Sequence, residues 1–119
     1  MGMNPLSRSF AALADDTRLA IVEQLIRQGE LPAGALVAQA GITAPAVSRH
    51  LKVLRQAGLV RQRVDGPRRL YSADPAGLRR IADWAMSRRD FWQAGLDRLD
   101  TAISEDIPAP DRRDGGWTG

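Results

Sequence analysis

Gly41-Ile42-Thr43-Ala44-Pro45-Ala46-Val47-Ser48-Arg49-His50-Leu51-Lys52-Val53-Leu54-Arg55-Gln56-Ala57-Gly58-Leu59-Val60 lies at the middle of the 119-residue chain. Thr43 can cap a helix with its hydroxyl, and Pro45 falls in the first turn, where a missing N–H costs nothing. Gly58 stands where a left-handed residue closes a helix. These signals predict a helix from about Ala44 to Ala57. At 100° per residue, Val47, Leu51 and Leu54 share one side, which must be buried. Pro45, Ser48, Arg49, Lys52 and Gln56 share the opposite side. That outer face combines a hydroxyl, a guanidinium, an ammonium and an amide, and it has no carboxylate. Such a face suits a polyanion with readable base edges.

The residues after the helix strengthen this reading over that of an ordinary solvated helix. Leu59-Val60-Arg61-Gln62-Arg63-Val64 alternates as a strand does, Asp65-Gly66-Pro67 turns, and Arg68-Arg69-Leu70-Tyr71-Ser72 returns. The result is a short hairpin, a wing, with two arginines on each arm. From Thr43 to Ser72 there are seven basic residues and one acid, Asp65, a local charge of +6. The rest of the chain has ten basic and thirteen acidic residues, which leaves the net +3. Positive charge is thus concentrated where a nucleic acid would be read.

Upstream, Pro5 to about Leu13 is predicted as a short helix, with Leu6, Phe10 and Leu13 on one face. Asp15-Asp16-Thr17 can cap a second helix, from about Thr17 to Gln28, with Ile21, Val22, Leu25 and Ile26 as its apolar face. Gly29 ends it. A third helix, from about Pro32 to Ala40, would be the first helix of a helix-turn-helix, with Leu36, Val37 and Ala40 inward and Ile42 plugging the turn. Ala33, Gly34 and Ala35 make it weak by propensity, so packing must hold it. After the wing, Asp74-Pro75 opens a long helix reaching about Ser104. Leu78, Ile81, Ala82, Ala85, Trp92, Leu96, Leu99 and Ile103 form its stripe, widened by Trp84 and Phe91. So small a domain cannot bury all of that surface, and a partner should cover the excess. From Asp106 to residue 119 the composition turns to proline, glycine and charge, which reads as a flexible tail containing Trp117.

Ala46-Val47-Ser48-Arg49-His50-Leu51-Lys52-Val53-Leu54, with Ala57-Gly58-Leu59-Val60, resembles the recognition-helix signature of the ArsR-type winged-helix repressors. Leu13-Ala14-Asp15-Asp16-Thr17-Arg18-Leu19-Ala20-Ile21 resembles the same family. The likeness runs from about Ser9 to Ser72. It implies a mainly α winged helix-turn-helix with about five helices and a β-hairpin wing. It also implies a homodimer built through the first and last helices. The DNA-binding set is then Thr43, Pro45, Ser48, Arg49, Lys52 and Gln56 on the helix, with Arg61, Arg63, Arg68 and Arg69 on the wing. The dimer interface is Leu6, Phe10 and Leu13 with Trp84, Trp92, Leu96, Leu99 and Ile103. Residues 1–105 would form one DNA-binding and dimerisation domain. Arg18 would take a structural or phosphate-contacting role.

Other functions find less support. The sequence has no cysteine, which removes thiol redox sensing and thiolate metal sites. Thiolate sensors of the resembled family carry cysteines near the start of the helix-turn-helix, where this chain has Glu30 as its one potential ligand. Sensors using the last helix rely on histidine and carboxylates; here Asp83, Asp90, Asp97 and Asp100 have no histidine beside them and interleave with arginines. Oxygen-only ligands bind transition metals poorly, so an ion-pair face is the better reading. An oxygen-ligand metal sensor and a winged-helix protein-interaction module remain as alternatives. His50 is the one histidine and has no neighbouring nucleophile, so it is read as a packed or phosphate-contacting imidazole rather than a catalytic base. No phosphate-binding glycine loop can be written, and neither an enzyme activity nor a cofactor is expected. No apolar run approaches the ~20 residues of a membrane span and no signal peptide is evident, so the expected location is the cytoplasm. The expected partners are double-stranded DNA, a second copy and an effector of unknown identity.

Overall fold

The computed structural model describes residues 2–106. Six helices and three short strands follow in the order α1 (Pro5–Leu13), α2 (Asp16–Gln28), β1 (Leu31–Pro32), α3 (Ala33–Ala40), α4 (Ala44–Gln56), β2 (Val60–Asp65), β3 (Arg68–Ala73), α5 (Pro75–Ser87) and α6 (Arg89–Asp106). The chain forms two units, Met1–Asp83 and Trp84–Gly119.

Local chemistry sets most of the boundaries. Asn4 caps α1, its Oδ1 accepting from the Ser7 N–H at 2.8 Å, with Pro5 behind it. Asp15 caps α2 by accepting from the Arg18 N–H at 3.0 Å. Thr43 caps α4, its Oγ1 accepting from the Ala46 N–H at 3.3 Å. Gly41 closes α3 at φ 67°, and Gly58 follows α4 at φ 77°; both are left-handed conformations that a Cβ disfavours.

The first unit packs around Leu25, Leu36, Val47, Leu51, Leu54 and Leu59, all fully buried. Val47, Leu51 and Leu54 are the inner face expected for α4. Truncating one such leucine to alanine costs roughly 2–5 kcal/mol. Ile26 departs from expectation: it is exposed, because the buried arc of α2 is completed by Gln24 instead. Ser9 is fully buried, and its one hydroxyl proton is shared between the Pro5 carbonyl of its own helix at 3.1 Å and the Ala57 carbonyl at 3.5 Å. That second bond ties α1 to the C-terminal end of α4.

Three features correct the sequence reading. The wing is part of a three-stranded antiparallel sheet in the order β1-β3-β2. Leu31 pairs with Tyr71 and Pro32 with Leu70, so Pro32 belongs to β1 and α3 begins at Ala33. The last helix is interrupted at Arg88, so the described residues hold six helices where about five were expected. There the Ser87 hydroxyl donates to the Trp84 carbonyl at 3.0 Å, and the Arg88 N–H turns to the Ala85 carbonyl at 3.4 Å. A serine that takes a carbonyl from the ladder in this way loosens the regular helix. Helix α6 runs through Asp106, the first residue of the expected tail; the rest of that tail, residues 107–119 with Trp117, lies outside the described residues.

Helix α5 starts against the corner that ends α4. The Asp74 N–H donates to the Leu59 carbonyl at 2.8 Å, and Leu78 and Ile81 pack on the core. Gly77 is buried there, and a Cβ in its place would overlap the Gly58 carbonyl.

Candidate nucleic-acid interface

The outer face of α4 and the sheet enclose a groove of about 650 Å³. Ser48, Arg49, Lys52, Arg55 and Gln56 line it from the helix, and Arg61, Gln62, Arg69 and Tyr71 from the strands. Five cations therefore face one trough, and no carboxylate lines it. The helix places its residues by spacing: 48, 52, 55 and 56 are four, seven and eight apart, which keeps them on one side. The sheet places its own by register. Gln62 pairs with Tyr71 and Val64 with Arg69, so these four side chains share a face. Tyr71 is buried at its base. Arg61 lies on the edge strand, β2.

A cationic trough between a capped helix and a β-hairpin, behind a left-handed turn at Gly41, is the arrangement of a winged helix-turn-helix. The family model for a helix-turn-helix domain matches residues 13–63. HTH-type transcriptional regulator Rv2034 of Mycobacterium tuberculosis is 52% identical over 92 residues, spanning 75% of this chain and 79% of that protein. The arsenical resistance operon repressor of Escherichia coli is 40% identical over 95 residues, spanning 79% of this chain and 78% of the repressor. An ArsR-like transcriptional regulator from Rhodococcus sp. RHA1 shares the fold with a TM-score of 0.66 at 28% identity, covering 82% of this chain and 92% of its own.

This chain belongs to the ArsR-type winged helix-turn-helix regulators of transcription.

Within this ArsR-type regulator, six of the ten residues expected to face DNA line the groove: Ser48, Arg49, Lys52, Gln56, Arg61 and Arg69. Thr43 serves as the cap of α4, and Pro45 is exposed in the first turn of that helix. Arg63 and Arg68 do not line the groove. Arg63 projects with Leu70 from the opposite face of the sheet and donates two hydrogen bonds to Glu30, each 2.8 Å, from Nε to Oε2 and from Nη2 to Oε1. This two-pronged pair holds the Glu30 carboxyl below the usual glutamate range and raises the Arg63 guanidinium further. Glu30 precedes β1, so the pair straps β2 across β3 to the loop after α2. Arg68 sits 3.4 Å from Asp65 within the hairpin turn.

Five groove residues were not among those expected to face DNA: the apolar Leu51 and Val60, and the polar Arg55, Gln62 and Tyr71. Arg55 was legible from its spacing of seven from Ser48 on the same stripe. Gln62 and Tyr71 were not, because strand register alone puts them beside α4. The Gln62 Oε1 is buried with no hydrogen-bond partner among the described residues.

Arg18 and His50 both contact other parts of the protein. The Arg18 Nε–H donates to the Ala12 carbonyl at 2.6 Å, and its Nη1 lies 3.4 Å from His50 Nδ1. Asp15, whose carboxyl is held below the ordinary aspartate range mainly by the Arg18 backbone N–H, approaches the same imidazole nitrogen at 4.0 Å. Among the described residues, no three histidine, aspartate or glutamate side chains gather as metal ligands. No described helix is long and apolar enough to cross a membrane.

Proposed function

We propose that two copies of this ArsR-type regulator bind a palindromic operator and repress transcription from an overlapping promoter. The carrying observation is the groove itself: five cations, two hydroxyls and two amides, with no carboxylate lining it. Helix α4 enters the major groove. Ser48, Arg49 and Lys52 meet base edges and nearby phosphates, with Arg49 on a guanine, where its planar fork fits O6 and N7. Arg61 and Arg69 follow the backbone or reach the adjacent minor groove. Gln56 and Arg55 lie at the far end of the helix as phosphate contacts. Arg63 and Arg68 hold the wing in shape. The likeness to a protein named an arsenical resistance operon repressor favours repression as the output.

The dimer rests on exposed apolar surface. In α6, Trp92, Leu96, Leu99 and Ile103 are 45%, 59%, 57% and 44% exposed, although they repeat at helical spacing. In α1, Phe10 is 42% exposed, whereas Leu6 and Leu13 are half-buried and Leu13 packs on the core. Trp84 is half-buried and stacks obliquely on Trp92, with ring centroids 6.1 Å apart. A second copy covers this stripe, and two-fold symmetry then sets half-site centres one or more turns apart, about 10 bp each. The protein works in the cytoplasm, where its DNA is. Release from the operator requires an effector that changes the relation of the two reading heads.

Selection of bound duplexes from a random DNA pool, followed by salt titration of the winner, tests this reading. The expected result is an enriched palindrome whose binding weakens steeply with salt. Enrichment of no sequence would overturn it.

A further inference from the structure

The proposed reading of DNA by α4 leaves open what fixes the rotation of that helix about its axis. Val47, Leu51 and Leu54 hold it against the core, but apolar contact is not directional. A small roll would leave those side chains buried and still move Arg49 and Lys52 away from the bases. A directional bond to the flank of α4 would prevent this, and His50 makes one.

His50 adjoins Arg49, and its side chain is 22% exposed. Its Nδ1 lies 3.4 Å from Arg18 Nη1. A guanidinium only donates, so in this hydrogen bond Nδ1 is the acceptor. Arg18 is itself held at two further points. Its Nε–H donates to Ala12 in the last turn of α1 at 2.6 Å, and its backbone N–H donates to the Asp15 cap of α2 at 3.0 Å. One side chain thereby joins three helices, and one of the three carries the base-reading residues.

We infer that Arg18 and His50 are positioning residues for operator recognition: Arg18, braced on α1 and α2, holds His50 and so sets the roll of α4. The inference rests on the proposed placement of α4 in the major groove. Neither residue needs to touch DNA. Both therefore act on specific recognition, and the non-specific phosphate attraction stays as it was.

The test compares full-length wild type with His50→Leu, His50→Asn, Arg18→Lys and Arg49→Ala. The probes are the duplex enriched by wild type and a scrambled duplex of the same length and composition. Asparagine can place an acceptor near the Nδ1 position, and leucine cannot. Lysine keeps the charge of Arg18 but cannot serve Ala12 and His50 together. Misaligning a bidentate base contact should weaken binding of His50→Leu and Arg18→Lys to the enriched duplex about tenfold, with His50→Asn staying within about twofold of wild type. Affinity for the scrambled duplex and the salt slope should not change. Full affinity in His50→Leu, or no rescue by His50→Asn, would overturn the inference. So would equal losses on both duplexes with a flatter salt slope, since that marks a direct phosphate contact. Should His50→Leu fail to fold, the contrast of Arg18→Lys with His50→Asn carries the test. Arg49→Ala separates the two levels of argument. Its loss beside an unaffected His50→Leu rejects the positioning role alone, and its full affinity rejects the placement of α4 as well.

Discussion

Replacing Arg69 by glutamine and, separately, Arg63 by glutamine removes the same charge from neighbouring strands of one hairpin. The structure assigns them opposite consequences. Arg69 lines the groove, whereas Arg63 lies on the other face of the sheet with both prongs on Glu30. Each phosphate neutralised by a bound cation contributes about 0.9 to the slope of log K against log salt. Two copies of Arg69 in a dimer thus contribute about 1.8, which amounts to about a twelvefold difference in affinity loss between 50 and 200 mM salt. Arg69→Gln should flatten the slope by that amount on any duplex. Arg63→Gln should leave the slope unchanged, because its charge is already matched by a carboxylate. Fluorescence anisotropy of a labelled duplex across a salt series measures both. Glu30→Gln offers a reciprocal check: it frees Arg63 and should steepen the slope. Equal flattening by Arg63→Gln and Arg69→Gln would refute the division of the wing into a DNA side and a strap.

Charged replacements of Leu96 and Leu99 in α6 should give monomers in sedimentation velocity; a dimer that survived them would place the interface elsewhere. Gly77→Ala drives a Cβ into the Gly58 carbonyl, and overpacking of this kind should cost about 1–3 kcal/mol in denaturant unfolding; unchanged stability would mean the contact relaxes freely. Asp15→Asn keeps a cap oxygen but loses the charge that faces Arg18 and His50. Because the folded state lowers the Asp15 pKa, the stability it contributes is present above the unfolded value and is lost as pH falls through the folded value. The melting temperature of Asp15→Asn should therefore lie below wild type at neutrality, and the gap should close in acid. A gap independent of pH would rule out the charge as its cause.

The sequence by itself determined whatever depends on residues within about one turn of each other. The span of α4 follows from Thr43, Pro45 and Gly58, its inner face from the spacing of Val47, Leu51 and Leu54, and the hairpin from Asp65-Gly66-Pro67. The concentration of positive charge on that segment is legible in the same way, and so is the place of Arg55, seven residues from Ser48 on the same stripe. Tertiary structure decided what depends on distant residues. Strand β1 is two residues long and carries no periodicity; it exists because Leu31 and Pro32 meet Tyr71 and Leu70. Arg61, Arg63, Arg68 and Arg69 are alike in sequence; pairing parity puts Arg69 on the groove face of the sheet, away from Arg63, and Glu30, 33 residues before Arg63, takes up that arginine's guanidinium. The interruption at Arg88 is local in origin but hidden, since the apolar stripe continues across it and only the Ser87 hydroxyl reveals the lost backbone bond. Periodicity reports which side of an element is buried. It does not report which partner a charged side chain finds, and in this regulator that choice divides the cations that line the groove from Arg63, which is paired with Glu30.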